Sequence, residues 1–317
     1  MELLDLLALT VKNKGSDLHL SAGGPPLIRI DGDLQIVHEE ALTEKTVANM
    51  IDSVMNDMQR QNYKEQLETD FSYQCGELAR FRVNAFKQER GSAAVFRVIP
   101  AAVISMEDLG LPDIFSRIAS FQQGLVLVTG PTGSGKSTTL ASIIEAINTT
   151  RQQHIITIED PIEFLHHSKK CLINQREVYR DTHSFSKALR SALREDPDII
   201  LIGEMRDLET IRLAMTAAET GHLVLATLHT SSAAKTVNRV IDIFPGEDKP
   251  LIRTILSGAL QAVCAQTLLK KKDGGRVAAF EIMLCNGAIR SLIRDDKIAQ
   301  IYSAIQTGKK FGMQTLD

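Results

Sequence analysis

A nine-residue segment, GPTGSGKST at Gly130–Thr138, constrains the fold of this chain more than any other part of its sequence. It follows the apolar run Leu125–Val128 and precedes a stretch of helical composition, Thr139–Asn148. A glycine-rich loop between a buried strand and a helix forms a P-loop, in which backbone N–H groups and the helix N-terminus surround a phosphate. The segment therefore predicts an α/β unit that binds a nucleoside triphosphate.

The residue types of this loop suit that role. Its glycines allow the backbone to curl around phosphates. Lys136 is expected to reach the β- and γ-phosphates, and the Ser137 hydroxyl is expected to hold Mg²⁺. The residues expected to contact nucleotide are Gly130, Pro131, Thr132, Gly133, Ser134, Gly135, Lys136, Ser137 and Thr138. The alternative is a glycine-rich turn that binds nothing, and the flanking strand and helix disfavour it.

Length and composition indicate a globular protein with more than one domain. The chain has 317 residues, which is more than a single hydrophobic core usually contains. No apolar run reaches the ~18 residues of a membrane span. The net charge of −3 and the 5% aromatic content argue against a dedicated nucleic-acid binder. The cysteines are far apart in sequence, so we expect reduced thiols rather than a zinc site. They are Cys75, Cys171, Cys264 and Cys285.

Residues 1–100 predict a small α+β unit. The acidic N-terminus lacks a basic leader, so we expect a first helix there rather than a signal peptide. The apolar face of that helix is expected to contain Leu3, Leu4, Leu7 and Val11. A hairpin is predicted over residues 27–36 and a helical region over about 44–67. Strands are predicted over residues 80–85 and 94–98.

The pattern changes to that of a parallel sheet after a predicted linker at residues 101–112. The linker is expected because Ile99-Pro100 ends the preceding strand. Beyond it, apolar runs alternate with helical stretches, which indicates a buried and mostly parallel sheet. The runs are Gly124–Gly130, His154–Asp160, Asp198–Glu204 and His222–Thr230. Ligands of open α/β sheets bind at the carboxyl ends of strands, so the polar residues that end these runs are expected to form one site.

Two of these runs end in acids. Asp198–Glu204 has the form of a Walker B strand, with Gly203-Glu204 where Asp-Glu is usual. Glu204 is therefore expected to polarise the attacking water or to accept its proton, the alternative being an acid that caps a strand end. Glu159 and Asp160 end the preceding run, and alone they would indicate a solvated turn. Beside a P-loop, Glu159, Asp160 or both are expected to hold waters of Mg²⁺ or to orient the attacking water, and Glu159 and Glu204 are both expected to contact Mg²⁺ through water.

Histidines and arginines supply further candidates. His229 follows a strand end and is expected to contact the γ-phosphate, whereas the position of His222 at the start of that strand disfavours it. Either residue has an ordinary structural role as its alternative. Four arginines near these segments either stabilise the transferred phosphoryl group, in the same or a neighbouring subunit, or form a solvated basic surface. They are Arg190, Arg194, Arg206 and Arg239.

Together these motifs resemble the type II/IV secretion ATPases and, within that superfamily, the retraction ATPases of type IV pili. Thr157–Phe164 resembles the Asp box, Thr220–Thr230 the His box, and Ala288–Asp295 the retraction signature AIRNLIRE. In the last segment Ser291 replaces Asn and Asp295 replaces Glu. Its apolar and basic spacing predicts an amphipathic helix, so the link to retraction comes from the resemblance alone.

The resemblance implies a PAS-like α+β domain over residues 1–100 and a RecA-like P-loop ATPase core with a mostly parallel sheet over residues 113–317. It implies ATP and Mg²⁺ as cofactors and a homohexameric ring with nucleotide between subunits. Glu204 would be the catalytic glutamate, with His222 and His229 lining the site. Three N-terminal arginines would approach the nucleotide as catalytic groups, and alternation places the first two on one strand face. They are Arg80, Arg82 and Arg97.

The function implied by the resemblance is ATP-driven pilus retraction in twitching motility, at the cytoplasmic face of the inner membrane. The implied partners are an inner-membrane pilus platform protein and a paralogous retraction ATPase, with no nucleic acid, and the protein would be peripheral to the membrane. The alternatives are an accessory retraction paralogue, a pilus assembly or secretion ATPase, a nucleotide-binding scaffold and, least favoured, a nucleic-acid translocase. Assembly ATPases are longer and carry a four-cysteine zinc site, which the scattered cysteines disfavour.

Overall fold

Two sheets of different type organise the chain into two units, Met1–Ala102 and Val103–Asp317. The computed structural model describes residues 2–99, 102–272 and 275–316. The predicted linker begins at residue 101, outside these ranges, and its described part, residues 102–112, contains no helix or strand. Within the described residues, no helix has both the length and the apolar character to span a membrane.

The first unit contains an antiparallel sheet with the strand order β3-β2-β1-β6-β5-β4. Its strands are β1 (Asp17–Ser21), β2 (Leu27–Ile30), β3 (Asp33–Ile36), β4 (Glu68–Cys75), β5 (Ala79–Gln88) and β6 (Gly91–Ile99). Its helices are α1 (Leu3–Lys12), α2 (Glu44–Asp52) and α3 (Asp57–Gln66). The predicted hairpin is confirmed, since β2 pairs with β3. The predicted helical region divides into two helices because Asn56 caps a new helix, accepting a hydrogen bond from the Gln59 N–H.

The apolar face of α1 differs from the one predicted. Leu4 is 53% exposed, and Val11 is only partly buried. The buried residues are Leu3, Leu6, Leu7 and Thr10. Their i, i+3, i+4, i+7 spacing is the stripe that a helix presents to a core, so the prediction for Leu4 was wrong by about one position around the helix.

The second unit contains a sheet with the strand order β13-β12-β7-β11-β10-β8-β9. Its strands are β7 (Gly124–Thr129), β8 (His154–Glu159), β9 (Leu172–Glu177), β10 (Ile199–Ile202), β11 (Leu223–Leu228), β12 (Leu260–Lys270) and β13 (Arg276–Leu284). Its helices are α4 (Ile114–Ala119), α5 (Lys136–Thr150), α6 (Phe185–Ala192), α7 (Leu208–Glu219), α8 (Ala233–Asp242), α9 (Lys249–Ala259), α10 (Gly287–Arg294) and α11 (Ile301–Thr307).

The predicted mostly parallel sheet is confirmed, with the β12–β13 pair antiparallel. Every residue of β7, β10 and β11 is buried, because a parallel sheet is covered on both faces. The registers align the carboxyl ends of β7, β11, β10 and β8 at one edge. The P-loop, Glu204, His229 and Glu159 all lie at or just beyond that edge.

Candidate active site

The P-loop connects β7 to α5 through a backbone path that requires glycine. Gly130 and Gly135 have φ angles of 145° and 87°, which side chains rarely adopt. A Cβ at Gly130 would lie 2.2 Å from the carbonyl oxygen of Gln266, and a Cβ at Gly135 would lie 2.9 Å from its side-chain nitrogen. The loop therefore packs tightly against β12 on one side, which leaves its other side for a ligand.

Lys136 lies at the start of α5 with its ammonium group against the loop. Its Nζ donates hydrogen bonds of 3.0 Å to the carbonyl oxygens of Gly130 and Pro131. Burial lowers the pKa of Lys136, while the charges of Glu204 and Glu163 act against that shift. Glu163 was not among the predicted site residues, although it lies within the Asp box, four residues after Glu159.

Glu204 follows β10 and makes contacts through both carboxylate oxygens. Its Oε1 lies 3.0 Å from His229 Nε2, and its Oε2 accepts a hydrogen bond of 2.8 Å from Arg206. Burial raises the pKa of Glu204, but Arg206 and His229 outweigh it and hold the pKa below its ordinary value. The structure thus brings together the predicted Glu204 and His229, and of the four arginines left open it is Arg206 that contacts Glu204.

Little space is left for a side chain at Gly203, where a Walker B strand usually has an aspartate. A Cβ at this position would lie 3.2 Å from the Cα of Glu159, because β8 runs alongside. The segment is also bonded to β11: Thr227 Oγ1 donates to the Gly203 carbonyl at 2.5 Å, and the Met205 N–H donates to the Thr227 carbonyl at 3.2 Å. A larger residue would disturb the backbone that positions Glu204.

Glu159 ends β8 in a partly buried environment. Its Oε1 accepts hydrogen bonds from Thr157 Oγ1 at 2.7 Å and from Gln175 Nε2 at 3.3 Å. Burial raises the pKa of Glu159 to about 7. Ser137, Glu159 and Thr227 line one cavity of about 30 Å³. Oxygen atoms of this kind are the ligands that Mg²⁺ prefers, and a nearby cation would favour the ionised form of Glu159.

His222 lies at the opposite end of the sheet from the P-loop. It precedes β11, whose first residue, Leu223, pairs with Gly124 at the start of β7. Its Nδ1 lies 3.0 Å from the Ala217 carbonyl oxygen. The six residues of β11 separate it from His229, which corresponds to roughly 20 Å of strand. The structure therefore does not bring His222 to the P-loop of its own chain.

The three arginines predicted in the first unit lie on β5 and β6 with polar partners in that unit. Arg80 donates to Ser72 Oγ at 2.6 Å. Arg82 pairs with Asp70 at 2.6 Å, and Arg97 pairs with Asp17 at 2.8 Å. The common face of Arg80 and Arg82 is confirmed, since Phe81 between them is fully buried. Arg82 and Arg97 are also directly opposite each other in the β5–β6 register. Their approach to nucleotide stays a prediction.

The other arginines left open by the sequence lie on helices or just after them. Arg190 forms an ion pair with Glu209, and the Arg194 guanidinium donates to the Arg190 carbonyl at 3.0 Å. Arg239 is exposed on α8. These contacts are those of a solvated surface.

Helix α10 is amphipathic as predicted, with Ile289 and Ile293 buried. Arg290 donates at 2.5 Å to the carbonyl oxygens of Ser257 and Gly258, at the end of α9. The two residues that depart from the retraction signature contact each other, since Ser291 Oγ donates to Asp295 Oδ2 at 3.1 Å. The departures therefore preserve a bonded i, i+4 pair on the helix surface.

The sequence matches the type II/IV secretion system protein family over residues 3–278. The chain belongs to this family. It is 63% identical over 317 residues to the type IV pilus retraction ATPase PilT of Pseudomonas aeruginosa, covering 100% of this chain and 92% of that protein. It is 40% identical over 318 residues to the type IV pilus ATPase PilU of the same organism, covering 100% of this chain and 83% of that one.

A solved structure of this family shows the same fold. The pilus retraction motor PilT, crystallised with bound ADP, superposes with a TM-score of 0.91 at 48% identity, covering 97% of this chain and 90% of that chain. The predicted α/β fold with a P-loop ATPase core and a mostly parallel sheet is therefore confirmed. The PAS-like description of the first unit stays a prediction.

Proposed function

We propose that this chain is an ATP-hydrolysing motor that powers type IV pilus retraction. The observation that carries the proposal is the convergence at one sheet edge of the P-loop lysine, Lys136, and the paired Glu204 and His229. The family membership and the 63% identity to a pilus retraction ATPase support the same function. ATP hydrolysis would supply the work, and pilus retraction would be its use.

The chain's own residues suit hydrolysis of a terminal phosphate. Lys136 would exchange its bonds to the loop carbonyls for bonds to the phosphates. Glu204 would orient the attacking water and accept its proton. His229, on the other side of that carboxylate, would contact the γ-phosphate. Because Arg206 lowers the pKa of Glu204, release of Arg206 would make the carboxylate a stronger base.

Residues beside the P-loop would also hold Mg²⁺ when a nucleotide is bound. Ser137 would hold the ion directly, and Glu159 and Glu204 would contact it through water. The ion would neutralise charge on the phosphates and position them. The other residues of the loop, apart from Pro131, which has no N–H group, would hold the phosphates through backbone N–H groups.

The assembly belongs to the same proposal. A homohexamer would place Arg80, Arg82 and Arg97 of one subunit near the nucleotide of another, and His222 would reach a site only from a neighbouring subunit. The linker at residues 101–112 would act as a hinge between nucleotide-dependent arrangements. The ring would act on an inner-membrane pilus platform protein from the cytoplasmic face, as a peripheral protein, together with a paralogous retraction ATPase.

An accessory retraction ATPase is the second candidate, because the chain is also similar to PilU. The identity of 63% to PilT against 40% to PilU, each over the whole chain, favours the retraction motor itself. Expression of this chain in a bacterium that lacks its retraction ATPase tests the choice. Restored twitching would support the motor. Restoration only when a second retraction ATPase is present would indicate the accessory role.

Hydrolysis is tested with Glu204→Gln. We expect ATP turnover to fall about 100-fold or more while ATP binding is retained, because the substitution removes the base and leaves the P-loop intact. The matched control is Glu209→Gln, which removes a surface carboxylate paired with Arg190. Normal turnover by Glu204→Gln would contradict the assignment. Specific activity that rises with protein concentration, together with a sixfold mass in solution, would support a hexamer with shared sites.

A further inference from the structure

The side chain of Gln266 spans the P-loop from the neighbouring strand. Gln266 lies on β12 and is 4% exposed. Its Nε2 donates to the Ser134 carbonyl oxygen at 2.7 Å, and its Oε1 accepts from Thr139 Oγ1 at 2.8 Å. The two partners lie 132 and 127 residues away in sequence, on either side of Lys136. One buried amide therefore joins the loop before the helix to the first turn of the helix.

We propose that Gln266 is a positioning residue that fixes the Ser134–Gly135 peptide for phosphate binding. In a planar trans peptide the C=O and the following N–H point in opposite directions. The bond from Gln266 holds the Ser134 carbonyl toward β12, so the Gly135 N–H is directed away from β12. That side of the loop is the one left for a ligand, because the Cβ positions of Gly130 and Gly135 are filled by Gln266 itself.

The second bond supports the same geometry. Thr139 is 2% exposed, and its backbone N–H donates to the Gly135 carbonyl at 3.0 Å. Because Gln266 bonds both Ser134 and Thr139, it fixes the distance between these two residues, which lie on either side of residues 135–138. Preorganised backbone donors bind an anion without a further cost of ordering the loop. Gln266 would therefore act on nucleotide affinity without touching the nucleotide.

The test uses the full chain and a fluorescent N-methylanthraniloyl ADP. Gln266→Met keeps the approximate shape of the side chain and removes both hydrogen bonds. We expect the dissociation constant of ADP to rise about tenfold, since a misoriented Gly135 N–H loses a charge-assisted bond to phosphate. The matched control is Gln261→Met on the same strand, whose side chain bonds Arg290 rather than the P-loop. It should bind ADP within about twofold of the unsubstituted protein.

A double variant separates positioning from simple destabilisation. Thr139→Val with Gln266→Met removes both partners of one buried bond, which restores much of the thermal stability lost on leaving the Thr139 hydroxyl unpaired. The Ser134 carbonyl is still released in that variant, so weak ADP binding should persist although the melting temperature recovers. ADP affinity that recovers together with the melting temperature would overturn the proposal, as would unchanged affinity in Gln266→Met.

The inference rests on the proposed nucleotide site, and its failure is distinguishable from failure of that site. If the unsubstituted protein binds no ADP, the proposed function itself is overturned and this inference with it. If the unsubstituted protein, Gln266→Met and Gln261→Met all bind ADP equally, the nucleotide site stands and the role of Gln266 is overturned.

Discussion

The two sheets carry their charged residues in different places. In the first unit Arg82, Arg97 and Asp17 lie within strands and face their neighbours across an antiparallel sheet. In the second unit β7, β10 and β11 contain no charged residue, and Glu204 and His229 follow the carboxyl ends of β10 and β11. A parallel sheet covered on both faces has no room for charge except at its edge, whereas an antiparallel sheet can leave one face to polar side chains.

The edge of the second sheet and the face of the first sheet differ in how they arrange reactive groups. At the edge of the second sheet, loops from neighbouring strands bring groups of different type within hydrogen-bond distance, as for Glu204, His229 and Arg206. On the face of the first sheet, each arginine has a partner fixed by strand register. We therefore expect substitutions at the edge of the second sheet to have larger effects than substitutions on the face of the first.

The largest of these effects is expected for Glu159→Gln. Burial raises the pKa of Glu159 from 4.5 to about 7. The folded state therefore binds the proton more tightly than the unfolded state, and this residue destabilises the fold increasingly as pH rises from about 4.5 to 7. Relative to the parent, the unfolding free energy of the variant should rise by about 2 to 3 kcal/mol as pH increases from about 5 to about 8.

Denaturant unfolding without nucleotide or Mg²⁺ measures this difference. The control is Glu209→Gln, an exposed acid whose contribution should stay small across the same pH range. A difference between parent and Glu159→Gln that does not change with pH would show that the carboxyl group is not held in its neutral form.

An intermediate effect is expected for Arg206→Ala, measured in the pH dependence of ATP turnover. Arg206 lowers the pKa of Glu204, so its removal should raise that pKa. Protonation of Glu204 abolishes its use as a base, so the acidic limb of the profile should move to higher pH. Arg212→Ala, which breaks an exposed ion pair with Asp248, should leave the limb in place. If the acidic limb moved equally in both variants, the shift would not be due to loss of the contact between Arg206 and Glu204.

The smallest effects are expected on the first sheet, and they differ between two arginines that face each other. Arg97→Ala leaves Asp17, whose side chain is only 6% exposed, without its ion pair, and should cost roughly 1 kcal/mol. Arg82→Ala breaks a pair that is 34% exposed on both sides and should cost less than about 1 kcal/mol. Urea unfolding of the two variants measures the loss of unfolding free energy in each. A larger loss for Arg82→Ala than for Arg97→Ala would contradict this expectation.

The cost of Arg97→Ala should also depend on pH. Burial raises the pKa of Asp17, but Ser16 and Arg97 together hold it below 3.8. The stability contributed by this ionised group is present above its unfolded pKa and is lost as pH falls through its folded pKa. The difference between parent and Arg97→Ala should therefore shrink below about pH 4.

Much of the fold was predictable because it is encoded over short stretches of chain. The alternation at Phe81 and Val83 predicts a strand with one buried face, and the structure confirms it. Helix α1 shows the limit of such patterns. Five leucines and a valine over Leu3–Val11 allow more than one apolar face, and packing against the sheet selected the one without Leu4.

The P-loop and the acid at the end of β10 were predictable from the sequence, because backbone curvature, periodicity and strand ends depend on nearby residues. Which groups meet depends on the tertiary structure. It placed His222 a full strand away from His229, brought β8 close to Gly203, and brought His229 to Glu204. It also brought Gln266 to a loop 132 residues earlier. Such contacts follow from strand order and register, which are set by packing across the whole sheet, whereas local periodicity specifies only each strand.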